Sequence, residues 1–211
     1  MQWENIKLMH KVFISYHHAN DQWAKDALIE ANNRYGLFID YSVDTGDIDD
    51  SLSSQSIRRI IRDEYLRESS VTILLVGTET YKRKHVDWEI YSSMYDGAVN
   101  RKSGLVVVQL PSINPQNVTA AYGQEEQNFY PGMSWSQSLV SRNEYELRYP
   151  FLPDRIIDNL GKNDCKISIT TWDAISKNLN IFVKLINWAY ESRLNNQYDL
   201  SRPMMENNKW R

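Results

Sequence analysis

Two short apolar runs constrain this chain more than anything else in it: Val71-Thr-Ile-Leu-Leu-Val76 and Leu105-Val-Val-Val-Gln-Leu110. Neither alternates apolar with polar, so neither suits a sheet with one wet face. Runs of this kind belong to strands buried on both faces, as in a parallel sheet covered by helices. Each is bounded by turn residues and is too short to be a helix of ordinary length.

The segments around them repeat one order. Residues 11–16 read as a first buried strand. Residues 22–35 follow as a helix capped by Asn20 or Asp21, with Trp23, Ala24, Ala27, Leu28 and Ala31 at helical spacing and Gly36 as its stop. Residues 37–41 form the second strand and 52–68 the second helix, striped by Ile57, Ile60, Ile61 and Tyr65. After the strand at 71–76, a third helix is expected over 85–100, with Val86, Ile90, Met94 and Ala98 facing inward. Strand and helix thus alternate three times before the fourth strand at 105–110. That order predicts an α/β, flavodoxin-like fold, a parallel sheet with helices on both faces.

Beyond Pro111 the pattern breaks. Residues 111–153 hold Pro111, Pro115, Pro131, Pro150 and Pro153 among many polar residues. The stretch is too long for an ordinary connection, so it is an insertion after the fourth strand, either a cover for a site or an element of packing or assembly. A weak last strand is expected at 166–170 and one long amphipathic helix over 172–194. The expected organisation is a leader at 1–9, a single domain at 10–194 and a C-terminal tail at 195–211.

Charge and cysteine content exclude several classes of function. With 24 basic and 27 acidic residues the formal net charge is −3, which is no footprint for nucleic acid. Cys165 is the single cysteine, so no intrachain disulfide can form. Cytoplasmic localisation is the expectation. No apolar run approaches the length of a membrane span, and the first residues lack the apolar core of a signal peptide.

The stretch from the third strand into the third helix carries the chemistry. The strand stops at Gly77, a polar loop follows, and the helix opens with His85-Val-Asp-Trp-Glu89. Ligands of open α/β sheets sit beyond the carboxyl ends of the strands, so this order puts Glu89 beside such a crevice. Glu89 lies about 100° from Ile90 around the helix, at the border of the buried stripe, and His85 stands one turn earlier on the same face. On spacing alone, an exposed Glu favoured by the helix dipole is the simpler explanation.

Val12-Phe-Ile-Ser-Tyr-His17 resembles the opening strand of TIR domains, and Phe38-Ile-Asp40 resembles their second strand. The Glu89 segment resembles the place where TIR enzymes carry a catalytic Glu, with His85 standing where they have a Trp. The resemblance covers about residues 10–110 and is nearest the ThsB branch of the Thoeris anti-phage systems. It implies a flavodoxin-like TIR fold and cleavage of the nicotinamide–ribose bond of NAD+ by Glu89. It also implies that the ADP-ribose part becomes a signalling nucleotide, a cyclic isomer or a conjugate, which activates a partner effector. Leu152-Pro-Asp-Arg-Ile-Ile-Asp-Asn-Leu160 and Tyr198-Asp-Leu-Ser-Arg-Pro203 also resemble segments of bacterial TIR-like proteins, with no chemistry attached.

One carboxylate suffices for such a reaction. Ordinary glycosidases need two, because an alkoxide leaves badly without a proton. Nicotinamide leaves NAD+ as a neutral molecule, so the difficulty is the positive charge growing on the ribose. A fixed carboxylate stabilises that charge. NAD+ is then the substrate, with no further cofactor and no metal.

Other residues near the strand ends are candidates for holding NAD+. Tyr16 can stack on a base, His17 or His18 can meet the pyrophosphate, and Ser15 lies at the same edge. Asp40 and Ser42 can hold a ribose or the nicotinamide amide, and His85 can stack on the ligand. Each has a plain alternative as a loop or surface residue. Lys82, Arg83 and Lys84 can attract the pyrophosphate or form a solvated cluster. Asp44, Asp47, Asp49 and Asp50 lack the spacing of a calcium loop. A zinc site at His17 and His18 is disfavoured by their adjacency. Cys165 is expected to be inert. The main alternative function is a non-catalytic TIR scaffold acting by self-association. A flavodoxin-like or response-regulator-like binding domain is a third, disfavoured by the Ser-Tyr-His-His end of the first strand.

Overall fold

The computed structural model describes residues 9–42, 52–98, 100–135 and 141–209. The leader at 1–8 and the aspartates 44, 47, 49 and 50 lie outside them. Five parallel strands form the main sheet: β1 (Lys11–Ser15), β2 (Ile39–Asp40), β3 (Val71–Val76), β4 (Gly104–Gln109) and, late in the chain, β7 (Ile167–Thr171). Their order is β2-β1-β3-β4-β7, all pairs parallel. The expected α/β flavodoxin-like architecture is therefore present.

Helices cover both faces. Val12, Ile14 and Tyr16 of the first strand region point to one side, where α1 (His18–Tyr35), α7 (Trp172–Lys177) and α8 (Leu179–Ser192) bury Leu28, Ile175, Phe182 and Leu185. Phe13 points to the other, towards α2 (Ser54–Ile60) and α3 (Lys84–Met94), where Ile57 and Trp88 enclose it. α5 (Arg142–Arg148) and α6 (Asp154–Leu160) complete that second face with Tyr145, Ile156 and Ile157 against Val107, Ile167 and Ile169.

Several boundaries differ from the sequence reading, each for a local reason. β2 is two residues long because Asn32 Oδ1 accepts the Leu37 and Phe38 amides at 2.8 and 2.9 Å, tying them to the end of α1. α1 starts at His18, with neither Asn20 nor Asp21 as its cap; the His17 carbonyl accepts the Asn20 and Asp21 amides. Trp23 sits at the edge of its buried stripe, 46 % exposed, edge-on to Trp172.

α3 stops at Met94, six residues short of the expected end, and Ala98 is exposed. There the Asp96 carboxylate takes the Arg101 guanidinium and the Lys102 amide, building a loop the helix cannot enter. The long C-terminal helix is two helices. Asn178 has extended backbone (φ −145°, ψ 93°), and its side chain accepts the Asn180 amide to start α8. The segment 194–209 has no helix or strand, yet it is bound along its length to α3 and α6.

The insertion lies at the far edge of the sheet. It contains β5 (Asn117–Val118), α4 (Gln124–Gln127) and β6 (Ser134–Trp135) before α5. Thr119 exchanges both backbone hydrogen bonds with Ile169, at 3.0 and 2.9 Å, and so closes the open edge of β7. Tyr122 stacks on Trp188 and its hydroxyl meets Ser192 at 2.7 Å. The insertion therefore supports the packing alternative, with two strands between β7 and the Ser15-bearing β1.

This packing buries a carboxylate that the sequence did not single out. Glu126 has no exposed surface; it accepts the Tyr122 amide at 2.9 Å, and burial raises its pKa from 4.5 to about 7. The folded protein binds this proton more tightly than the unfolded chain, so this group's contribution to stability is full below pH ~4.5 and is lost as pH rises towards 7. The loss across that window is on the order of 3 kcal/mol for this one group. Glu126→Gln should flatten that fall and raise the urea midpoint at pH 8. A Gln variant with the wild-type pH slope would show that folding leaves the Glu126 pKa at its ordinary value.

Candidate functional site

The strand order reverses direction between β1 and β3: the chain leaves β1 for β2 on one side and returns to β3 on the other. In flavodoxin-like sheets that switch point opens a crevice at the carboxyl ends of the strands. Ser15 ends β1 and Gly77 follows β3, so both lie at the carboxyl ends of the two strands that flank the switch point.

Ser15 is fully buried and points towards α3. Its hydroxyl donates to Glu89 Oε2 at 2.6 Å. Glu89 lies mid-helix and is itself 4 % exposed, not at the surface as the dipole reading would have it. A bond of this length fixes the carboxyl group in one place. Thus β1 and α3 bring together two of the expected site residues, 74 positions apart in sequence.

Ser42 is the third. Its hydroxyl accepts the Ile14 amide at 3.2 Å, just past the end of the β1–β2 ladder. Asp40 is exposed and turns back on its own loop, accepting the Ser42 amide at 2.8 Å. His17 follows Ser15 and is partly buried among Arg83, Glu79 and His18; burial first, then the Arg83 charge, lowers its pKa.

Two expectations change here. Tyr16 is 4 % exposed and part of the core under α1; its hydroxyl donates to Gln22 Oε1 at 2.7 Å and its ring stacks on His18 at 4.4 Å. It is not available to stack on a base in this arrangement. Lys82 and Arg83 both pair with Glu79, at 2.8 and 3.1 Å, and Lys84 lies over Trp88. Their charge is partly spent within the protein. His17 and His18 turn to different neighbours, and among the described residues no group of three His, Cys, Asp or Glu side chains could hold a metal ion. The buried Cys165 thiol is pushed up to about 12 by desolvation, which leaves little thiolate.

His85 is exposed and meets Trp88 edge-on at 4.9 Å. It stands one turn before Glu89 and outside the core, so a larger ring has room. His85→Trp should change stability by less than about 0.5 kcal/mol. Its added stacking area should tighten NAD+ binding, read by calorimetry. A large drop in melting temperature would place this ring in the packing of α3 instead.

The sequence offered Asp21 only as a helix cap and did not join it to Thr80. Thr80 Oγ1 accepts the Gly77 amide at 2.8 Å and donates to Asp21 Oδ2 at 3.3 Å. Asp21 is 2 % exposed, and burial raises its pKa. Its carboxylate lies so close to Gly77 that a methyl there would sit 2.6 Å from Oδ2. Glycine at the end of β3 is thus required by close approach. Nothing in the spacing of Gly77 and Thr80 points to Asp21.

A cavity of about 670 Å³ opens elsewhere, at the ends of β4 and β7, lined by residues such as Gln109, Phe129, Tyr130, Trp172 and Asn178. Glu89 is not part of it. The hollow's lining carboxylate, Asp173, is exposed and paired with Lys177, unlike the buried Glu89.

A five-stranded parallel sheet in this order, with helices on both faces, is consistent with an α/β flavodoxin-like TIR fold. Residues 13–115 match the family model of the Thoeris protein ThsB, TIR-like domain, so this stretch of the chain is similar to that family. No curated protein matches the chain.

Proposed function

We propose that this protein cleaves the nicotinamide–ribose bond of NAD+, with Glu89 as the catalytic group, in anti-phage defence. The observation that carries the reading is the Glu89 carboxylate, buried and held by Ser15 at the switch point of the sheet. In a site screened from bulk water, a fixed negative charge acts strongly on a cation forming next to it. The bond electrons leave with nicotinamide, whose ring nitrogen becomes neutral, and the ribose carbon becomes cationic. Water, a hydroxyl of the same molecule or a small acceptor then captures that carbon. Capture by the last two gives the signalling nucleotide, a cyclic ADP-ribose isomer or a conjugate, that would reach a partner effector in the cytoplasm. Ser42, His17, Asp40 and His85 would hold NAD+ in this reading.

A non-catalytic scaffold that self-associates is the second reading. The low exposure of Glu89 favours it, since a buried Ser–Glu pair also serves purely to join β1 to α3. Incubation of the purified protein with NAD+, with and without free amino acids, followed by mass spectrometry, separates the two. Nicotinamide release with an ADP-ribose product supports the enzyme. Intact NAD+ under both conditions, and with phage lysate added, supports the scaffold.

A further inference from the structure

We propose that the segments 152–160 and 198–209 form a clamp that sets the position of α3, making Arg155 and Asn208 positioning residues for Glu89. The inference rests on Glu89 being the catalytic group.

The two segments meet each other and then meet α3. Asn159 Oδ1 accepts the Asp199 amide at 2.7 Å, and its amide nitrogen donates to the Asp199 carbonyl at 3.2 Å. Arg202 donates to both oxygens of Asp158, at 2.5 and 3.0 Å. Arg155 has no exposed surface. Its Nε and Nη2 donate to the two oxygens of Asp87 at 2.9 and 3.0 Å, and its Nη1 and Nη2 reach the Arg202 and Pro203 carbonyls. Asp87 accepts a third donor, the Met205 amide, at 2.9 Å.

The strap then runs along the start of α3. The Trp88 indole donates to the Met205 carbonyl at 2.7 Å, Asn208 Oδ1 accepts the Lys84 amide at 2.9 Å, and the Lys209 amide donates to the Lys82 carbonyl at 2.9 Å. Arg83, at the N-cap position, makes no side-chain cap of its own. The helix that carries Glu89 is therefore capped and gripped by residues more than a hundred positions downstream.

The geometry suits positioning. Asp87 and Glu89 are two residues apart, about 200° around the helix, so the clamp holds one side while Ser15 holds Glu89 on the other. A buried ion pair adds little net stability over apolar residues of the same volume. What the planar guanidinium fork fixes is orientation, because it fits a carboxylate in one plane. A catalytic group displaced by about 1 Å can lose on the order of a hundredfold in rate.

The test compares Arg155→Lys, Asn208→Ala and Asn208→Asp in the full chain, measuring kcat and KM for NAD+ per folded molecule, with melting temperature alongside. Arg155→Lys keeps the charge but loses the fork, and should lower kcat about tenfold or more while KM moves less than about threefold. Asn208→Ala should lower kcat in the same way by about threefold. Asn208→Asp keeps an accepting oxygen at the helix start and should restore it. A purely structural role would lower melting temperature and leave kcat per folded molecule intact in both variants, which would overturn the clamp while Glu89-dependent cleavage stands. Should Arg155→Lys fail to fold, the two Asn208 variants decide by the same criterion. A wild-type protein without turnover overturns the Glu89 reading, and the clamp with it.

Discussion

Glu89→Gln should abolish NAD+ cleavage and leave the fold in place. The amide has the size of the carboxylate and can still accept from the Ser15 hydroxyl, which now bonds Oε2 at 2.6 Å. What it lacks is the negative charge that stabilises the ribose cation. Removal of a single electrostatic group from a catalytic site costs about a hundredfold or more, equivalent to roughly 3 kcal/mol of transition-state stabilisation. Nicotinamide release over a time course reads the loss, and the melting temperature reports on the fold. Turnover within about threefold of wild type, in a folded variant, would move the chemistry away from Glu89 and give weight to the scaffold reading.

Gly104→Ala should be the most damaging single methyl in the sheet. Gly104 opens β4, where the α8 backbone crosses directly above it. An added Cβ would overlap the Ala189 carbonyl and stand 3.0 Å from its Cα. The obstacle is main chain, so no rotamer relieves it. Either β4 slips from β3, where Gly104 pairs with Val71, or α8 lifts from the sheet and uncovers Leu185, Ile186 and Ala189. Forced overpacking of a core typically costs 1–3 kcal/mol, and a clash with backbone belongs at or above the upper end, so about 3 kcal/mol or more is expected. Urea denaturation measures it. A loss below about 1 kcal/mol would mean that α8 rides over β4 with more freedom than its burial implies.

The parallel sheet was legible in the sequence because its strands declare themselves locally. Val71–Val76 and the run ending at Leu110 can be satisfied only by burial on both faces, and the helical stripes between them supply the cover. The positions of Ser15 and Glu89 near the strand ends followed from the same order. Their union did not. That hydrogen bond, the contact of Asp21 with Gly77, and the grip of Arg155 and Asn208 on α3 all join residues tens of positions apart, and no periodicity records such pairs. Helix ends were misread for a related reason. Asp96 and Asn178 stop or break helices through bonds their side chains make in the folded loop, while the apolar spacing around them runs on. Glu126 shows the limit most plainly. Gln124-Glu125-Glu126 has the composition of a wet surface, and only the closing of β7 by Thr119 carries its last residue into the interior. Sequence pattern fixes which faces must be dry. Which polar groups go in with them depends on what the tertiary packing can hydrogen-bond or leave neutral, and that is settled only when distant segments meet.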